Sequence, residues 1–410
     1  MKTNFQKYEA VFAFVLFILF LFFAINLVNE PLGPQRNIFY DNMNDIFADF
    51  FNVLRYIAER DPYFSSPGPG FSNYLPFVYM VLYPFSQLDD FDTMTLHKAW
   101  ASKLGLMSVL VFTMFSVFLL FLALNKIRKK FNVSPVIFVG FILSYLFFFT
   151  IERGNTIVLA AAFVGFFVCY YDSDKKTERI MAMLCLALAT VFKIYPVLFG
   201  FLYFEKRQYR EMVYSAIITL LLVFLPFLFF EREFSNIPRL FKILGMMSAP
   251  DSFEQYYPRF SLAHLVYRSC HIVRFPKELA LLFGRATETV NVIISISSIA
   301  LSLFTKEKWT KLSLLSMAVV FLPVASGVYN GLFFLPMIIL FFATIEERKK
   351  SYNIFVIILF VGFLNPYQIM HNGSINYIIA NVALMSLWVT LFAASGKEVI
   401  TSLVNSGRKN

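Results

Sequence analysis

Charged residues are scarce in this chain of 410 residues. Asp, Glu, Lys and Arg together make up 15% of it, whereas hydrophobic residues make up 58%. Soluble domains carry roughly 25% charged residues, and no soluble core could cover this much apolar surface. A water-soluble globular enzyme is therefore excluded. Cysteine is also rare, with three residues, and the four histidines show no metal-ligand spacing. We expect no disulfide framework, no metal site and no other cofactor.

Long apolar runs are abundant instead. A hydrocarbon layer of roughly 30 Å needs about 20 apolar residues per helical crossing. The sequence therefore predicts an all-α polytopic membrane protein with a bundle of about 10–12 transmembrane helices. Crossings are assigned to residues 9–28, 97–124, 133–150, 156–171, 212–230, 286–304, 311–326, 329–345, 352–368 and 375–395. The first run follows a basic start, but no small-residue cleavage pattern succeeds it, so we interpret it as a transmembrane helix and not a signal peptide.

One apolar segment, residues 180–204, is interrupted. Charged sequences flank it on both sides, and Lys193-Ile194-Tyr195-Pro196 lies in its middle. Proline removes a backbone donor and clashes with the preceding helical turn. We interpret the segment as two short arms that enter and leave the membrane on the same side, with Lys193 near the apex.

Basic residues concentrate in alternate loops, which predicts an orientation. If the N-terminus is cytoplasmic, the loops NKIRKK, DSDKKTER, EKRQYRE, TKEKWTK and EERKKS and both termini all face inward. This pattern satisfies the positive-inside rule for an inner (plasma) membrane, and the net charge of +10 then needs no nucleic-acid partner. Residues 29–96 and 231–285 become extracytoplasmic loops with amphipathic juxtamembrane helices. The full chain, 1–410, is predicted to form a single integral membrane domain.

An amphipathic helix is predicted over residues 44–60 of the first outer loop. Its polar residues share one helical face. They are Asp45, Asp49, Asn52, Tyr56 and Glu59. Asn42 or Asn44 could cap its start, and Asp61-Pro62 would end it. The spacing alone fits an interfacial helix with a solvated polar face.

Asp49 is the more enclosed of the two early acids of this helix, because Phe47, Phe50 and Phe51 surround it in sequence. A carboxylate among so many aromatic side chains at a bilayer surface is costly without a partner or a task. We therefore expect the carboxylates to face the protein interior or a cavity, and Asp49 is the first candidate for catalysis.

Cations are predicted to gather on the same outer side. Arg153 lies in the tight turn Glu152-Arg153-Gly154-Asn155, and Lys193 lies at the apex of the interrupted pair. The second outer loop adds Arg259, His264, Arg268 and Arg274. Such a cluster suits a lipid-linked phosphate. Arg153 and Lys193 could instead extend to the membrane interface, or Arg153 could pair with Glu152.

Several short motifs occur in a characteristic order. They are Asp49-Phe50 with Tyr56, Pro62-Tyr63, Tyr74-x-Pro76, Arg153-Gly154-Asn155 and Lys193-x-Tyr195-Pro196. Their order, spacing and predicted outer position resemble glycosyltransferase family 87 of the GT-C superfamily. The resemblance covers the first half of the chain best and the remainder more loosely.

This resemblance implies an inverting membrane glycosyltransferase, mannosyltransferase-like, that acts on the extracytoplasmic face. Its donor would be a polyprenyl phosphate carrying mannose or another sugar, and its acceptor a glycan or glycolipid. Asp49 would be the general base, and the reaction would be metal-independent. The residues expected to bind substrate are Asp45, Tyr56, Tyr74, Arg153, Asn155, Lys193, Tyr195, Arg259 and His264.

Two other classes of protein share parts of this pattern. A transporter or lipid flippase also has many helices, interrupted segments and buried charges, but here the polar residues gather at the outer rim and not at the midplane. An O-antigen polymerase or ligase also uses polyprenyl-linked sugars, with a diphosphate-linked donor. The basic outer loop 231–285 keeps that alternative open.

Overall fold

The structure is a computed structural model of the chain, and it describes residues 2–29, 46–64, 72–247, 259–323, 327–366 and 374–407. Within these ranges all regular secondary structure is helical. The predicted all-α fold class is therefore confirmed. The polar residue Asp45, expected to bind substrate, lies outside the described residues, as do the two asparagines expected to cap the outer helix.

The helices follow one another closely along the chain. The first nine are α1 (Lys2–Asn29), α2 (Ala48–Ile57), α3 (Pro76–Ser86), α4 (Leu96–Ala101), α5 (Lys103–Lys130), α6 (Ile137–Ile142), α7 (Tyr145–Arg153), α8 (Ile157–Tyr170) and α9 (Lys176–Phe192). They are followed by α10 (Phe201–Glu205), α11 (Tyr209–Phe224), α12 (Asn236–Met247), α13 (Leu262–Ile272), α14 (Lys277–Phe304), α15 (Lys308–Phe321), α16 (Leu335–Ala343), α17 (Lys350–Leu364) and α18 (Ser374–Gly407). Short 3-10 helices include Tyr195–Gly200, Leu225–Phe229 and Val328–Phe334.

Two compact units make up the fold. The terminal unit contains Met1–Glu30, Ile127–Phe147 and Tyr256–Asn410, and the middle unit contains Pro31–Lys126 and Phe148–Gln255. The sequence predicts a single integral membrane domain, and this division into two units does not test that prediction.

Several helices have the length and composition of membrane spans. Among the described residues five qualify at full length, namely Gln6–Ile25, Lys103–Lys130, Tyr209–Phe229, Lys277–Phe304 and Tyr377–Thr401. Shorter apolar helices cover Ile157–Tyr170, Val328–Ala343 and Lys350–Leu364. Together with the all-α fold, these spans make the chain a multi-pass membrane protein.

Two runs expected to be single helices are broken at serine. The run 133–150 divides into α6 and α7, where Ser144 Oγ donates to the Phe141 carbonyl at 2.7 Å and accepts from the Phe147 amide at 3.3 Å. The run 97–124 divides at Ser102, whose hydroxyl bonds backbone groups on both sides of the break. The prediction of continuous helices there is wrong, because a serine hydroxyl can replace the backbone partners that a helix end loses.

The start of α13 shows how the terminal unit satisfies its buried backbone. The Leu262 amide donates to Asn291 Oδ1 at 2.9 Å, and the Ser261 amide donates to Asn381 Oδ1 at 3.1 Å. Ser261 Oγ accepts from the His264 amide at 3.1 Å, as an N-cap residue does. Side chains of α14 and α18 therefore provide acceptors for amides that have no partner within α13.

We predict that Asn381→Ala destabilises the protein. Asn381 is fully buried, and its loss leaves the Ser261 amide without its acceptor, at a cost of about 1–3 kcal/mol. The melting temperature in detergent should fall by a few degrees. Thr401→Ala on the same helix is the control, because its exposed hydroxyl bonds only the Lys397 carbonyl one turn earlier. Equal melting temperatures for the two variants would contradict this account.

Candidate active site

Helix α2 carries Asp49 and is shorter than predicted. It begins at Ala48 and ends at Ile57, where the sequence predicted residues 44–60. Phe47 precedes it in the left-handed conformation, with φ of 55°, and donates its amide to the Glu152 carbonyl at 2.8 Å. This bond fixes the start of α2 against the turn that follows α7.

The helix is buried on most of its surface. Phe50 is fully buried and packs against the rings of Phe85 and Phe112, with centroid distances of 5.9 and 5.1 Å. Tyr56, which the sequence placed on the polar stripe, is only 3% exposed. An interfacial helix with a solvated polar face is therefore the wrong interpretation, because aromatic packing encloses α2 within the middle unit.

Asp49 lies in a network of three hydrogen bonds. Arg153 donates Nη2 to Oδ1 at 2.6 Å and Nε to Oδ2 at 3.3 Å, and Asn155 donates Nδ2 to Oδ2 at 2.6 Å. The Arg153 side chain is 8% exposed and the Asp49 side chain 17% exposed. The structure thus joins three residues that the sequence singled out separately. The ion pair of Arg153 with Asp49 was not predicted from the sequence, which offered Glu152 or the membrane interface as alternatives to a substrate phosphate.

Asn155 has two tasks in this network. Its Nδ2 binds Asp49, while its Oδ1 accepts from the Ile157 amide at 2.8 Å at the start of α8. The amide orientation is thereby fixed by both ends, since the helix amide can only donate. Asn155 therefore connects the Asp49 carboxylate to the first turn of α8.

Gly154 allows α2 to approach the turn. Its φ is +62°, in the left-handed region, and a Cβ there would lie 3.0 Å from Phe50 Cβ and 3.5 Å from Phe47 Cα. Any side chain would both strain the backbone and push against α2. Glycine at this position is therefore what brings the Asp49 carboxylate within reach of its two flanking partners.

The pKa of Asp49 reflects opposing effects. Burial is the largest single influence and raises it, but the charge of Arg153, its hydrogen bonds, the charge of Lys193 and the Asn155 amide together outweigh burial. The resulting pKa lies below the ordinary value for aspartate. Asp49 is therefore an ionised carboxylate at neutral pH.

Lys193 is the second cation of the site. Helix α9 ends at Phe192, as the Lys-Ile-Tyr-Pro sequence predicted, and Lys193 follows in extended conformation. Its Nζ lies 4.4 Å from the centroid of the Tyr74 ring, a cation–π distance. Burial lowers its pKa to about 8, the Asp49 charge opposes that shift and the Arg153 charge adds to it. Lys193 thus remains mostly charged at neutral pH in a poorly hydrated place.

Tyrosines form the wall beside Lys193. Tyr63 donates its hydroxyl to the Tyr74 carbonyl at 2.7 Å, and its ring meets that of Tyr79 edge to face at 5.6 Å. Burial raises the pKa of Tyr56 to about 12, so its phenol stays protonated at neutral pH. Sequence reasoning missed Tyr79. Its position three residues after Pro76 on the apolar helix α3 carries no signal that separates it from ordinary core.

Arg259 and His264, also expected to bind substrate, lie together in the terminal unit. Arg259 is 1% exposed. Its Nε donates to His264 Nδ1 at 3.0 Å, its Nη1 donates to the Pro323 carbonyl at 2.8 Å, and the guanidinium pairs with Glu288. Burial and the neighbouring arginines lower the pKa of His264 to about 2, so the imidazole is neutral. These contacts belong to the packing of α13 and α14, and a substrate role for either residue stays a prediction.

Tyr195 begins the 3-10 helix after Lys193 and is half-buried. Its part in substrate binding stays a prediction. Within the described ranges no three His, Cys, Asp or Glu side chains come together as potential metal ligands.

The site therefore combines an ionised carboxylate with two cations and an aromatic wall, inside a multi-pass membrane protein. Residues 73–327 match the family described as glycosyltransferase family 87, and the chain belongs to that family. It is accordingly a membrane glycosyltransferase. No curated protein matches the chain. The matched range includes Tyr74, Arg153, Asn155 and Lys193 but begins after Asp49, so the assignment of Asp49 to the site depends on its contacts.

We predict that Gly154→Ala lowers the melting temperature by a few degrees. A left-handed alanine costs about 1–2 kcal/mol, and its methyl group would crowd Phe50. Gly200→Ala is the control in the same unit, because its φ is −59° and an added Cβ would meet only Leu186 at 3.6 Å. Thermal unfolding in detergent compares the two, and a Gly154→Ala protein as stable as the control would contradict the packing argument.

Proposed function

We propose that this protein transfers a sugar, mannose or another hexose or pentose, from a polyprenyl phosphate to a glycan or glycolipid on the extracytoplasmic face of the plasma membrane. The observation that carries the proposal is the Asp49 carboxylate, ionised and oriented by Arg153 and Asn155 with Lys193 nearby. Asp49 is the general base, and Lys193 is the cation for the donor phosphate.

The hydrogen bonds of Asp49 leave room for one more donor. A carboxylate offers about four lone-pair sites, and Arg153 and Asn155 occupy three of them. The remaining site is suited to the acceptor hydroxyl. With a 17% exposed side chain, the carboxylate is accessible enough to receive it. The flanking partners would hold the base in one orientation while the hydroxyl approaches the anomeric carbon.

A low pKa is compatible with this role. A sugar hydroxyl becomes strongly acidic only as its oxygen bonds to the anomeric carbon, so the base must accept the proton late in the step. Arg153 keeps the carboxylate ionised until the acceptor oxygen has begun to bond to the anomeric carbon. In the balanced step the acceptor O–H proton passes to Asp49, the new C–O bond forms, and the bond from the anomeric carbon to the phosphate oxygen breaks.

The leaving group is a phosphate, which needs positive charge and not a second carboxylic acid. The buried ammonium of Lys193 supplies that charge where water screens it weakly. Tyr74 holds the ammonium by its ring face. Direct displacement inverts the anomeric centre, so a β-linked donor would give an α product. No metal is needed in this scheme, and chelators are expected to leave turnover unchanged.

Family membership favours a transferase over a transporter or flippase. The remaining alternative, an O-antigen polymerase or ligase, differs in its diphosphate-linked donor. Parallel assays with short-chain polyprenyl monophosphate and diphosphate sugars decide between the two. Turnover of the diphosphate donor alone would overturn the proposed donor class.

We predict that Asp49→Asn lowers turnover by at least about a hundredfold, because the amide cannot accept the proton. The variant should remain folded and still bind donor, since the donor phosphate is assigned to Lys193. The measurement is transfer from a synthetic polyprenyl phosphate sugar, with donor binding followed separately.

Asp92→Asn is the matched control, because Asp92 is an exposed acid of the same unit. It should retain ordinary turnover. An Asp49→Asn protein that turns over as fast as this control would remove Asp49 from the role of base.

We predict that Lys193 produces an alkaline limit in the pH profile of kcat/KM. Its pKa of about 8 means that the ammonium is lost as the pH rises through that value, and phosphate stabilisation is lost with it. In Lys193→Arg the guanidinium stays charged, so the fall should move to higher pH. Lys193→Gln should lower kcat/KM by roughly 10–100-fold at neutral pH.

Lys176→Gln serves as the control for charge removal, since Lys176 is exposed at the other end of the same helix. Its profile should match that of the unaltered enzyme. If Lys193→Arg kept the same alkaline limit as the unaltered enzyme, another group would be responsible for it.

A further inference from the structure

An elongated apolar groove lies between α1 and α17 in the terminal unit. Its volume is about 700 Å³. The residues that line it are Lys7, Tyr8, Val11, Phe12, Val15, Lys350, Ile354, Ile357, Ile358 and Val361. Phe12 and Ile357 are buried at its floor, whereas Val11, Ile354 and Ile358 are 56%, 42% and 61% exposed along its walls. None of the residues assigned above to sugar transfer lines this groove.

Both lysines lie at the same end of the groove. A neighbouring cavity is lined by Gln6 together with Ala343 and Glu347, which places the start of α1 beside the turn that precedes α17. Lys7 lies in the second turn of α1, and Lys350 is the first residue of α17. Two ammonium groups and the Tyr8 hydroxyl thus mark one end, and only apolar side chains continue from there.

The two lysines at this end are available to an anionic ligand. Neither Lys7 nor Lys350 forms an ion pair with a described acidic side chain, and both are exposed. Basic pockets between transmembrane helices are suited to anionic headgroups. A negatively charged group with an attached apolar chain complements the groove.

The length of the groove indicates which lipid fits. At 1.5 Å per residue, the stretch from Lys350 to Val361 measures roughly 16 Å and that from Lys7 to Val15 roughly 12 Å. One leaflet of a hydrocarbon layer is roughly 15 Å thick. The groove therefore matches an acyl chain of a single leaflet, whereas a long polyprenyl chain would exceed it.

We propose that this groove is a binding site for one anionic diacyl phospholipid. Its phosphate would contact Lys7, Lys350 and Tyr8, and one acyl chain would lie against Val11, Ile354 and Ile358. The positive-inside rule predicts that this is a lipid of the cytoplasmic leaflet. The inference is independent of the sugar-transfer reaction, so failure of either leaves the other intact.

Native mass spectrometry of the full chain in mild detergent tests the site. Phosphatidylglycerol and phosphatidylcholine with the same acyl chains are titrated separately, and bound lipids are counted. We expect one phosphatidylglycerol per chain to bind at least about tenfold more tightly than phosphatidylcholine. Lys7→Gln with Lys350→Gln should lower the phosphatidylglycerol affinity by about tenfold or more. Equal binding of the two lipids by the unaltered protein would overturn the proposal.

Two further variants control this measurement. Lys175→Gln with Lys176→Gln removes the same number of positive charges from the exposed start of α9 and should leave the affinity unchanged. Ile354→Trp keeps both lysines but fills the groove, and it too should weaken phosphatidylglycerol binding. Melting temperatures show that each variant is folded. If the filled groove bound phosphatidylglycerol as tightly as the unaltered protein, the lipid would be bound elsewhere and the site would be wrong.

Discussion

The charge of Asp49, enclosed by aromatic side chains, is the constraint on which the site depends. Taking a carboxylate out of water is costly unless it is paired and hydrogen-bonded. Arg153 and Asn155 meet that requirement with three bonds, and the pKa of Asp49 falls below its ordinary value despite burial. The same contacts that make the buried charge tolerable also fix its orientation. Stability and chemistry at this site therefore have one physical origin.

This requirement shapes the surrounding backbone. Asn155 joins Asp49 to the first turn of α8, and the Glu152 carbonyl receives the Phe47 amide at the start of α2. Gly154, between them, has no side chain to keep the two elements apart. The turn at residues 152–155 therefore brings the start of α8 close to the Asp49 carboxylate. Lys193, at the end of a third helix, completes the positive surroundings with a weakly hydrated ammonium.

Some of this arrangement could be predicted from residues alone, and the failures are informative. Asp49 is a candidate from the sequence because a carboxylate between Phe47 and Phe50 is costly at a bilayer surface without a partner. The helix break at Lys193 is predicted by the proline that follows at position 196. The breaks at Ser102 and Ser144 were missed, since a serine within an apolar run reads as a tolerated polar residue until its hydroxyl is seen to cap a helix end. Tyr56 was placed on a solvated face because periodicity reports which residues share a face and not what covers it.

The sequence by itself determined the class of molecule. Apolar runs of membrane length allow little besides helices, because lipid offers no partner to an unpaired backbone group. It also identified the acid and the cations as chemically unusual residues. Only the tertiary structure decided which of them meet. Arg153 pairs with Asp49, which lies 104 positions earlier in the chain, whereas Arg259 pairs with Glu288 and donates to His264 in the terminal unit. Helix formation depends on neighbours in sequence, but pairing of buried charges depends on how the helices pack, which no local pattern specifies.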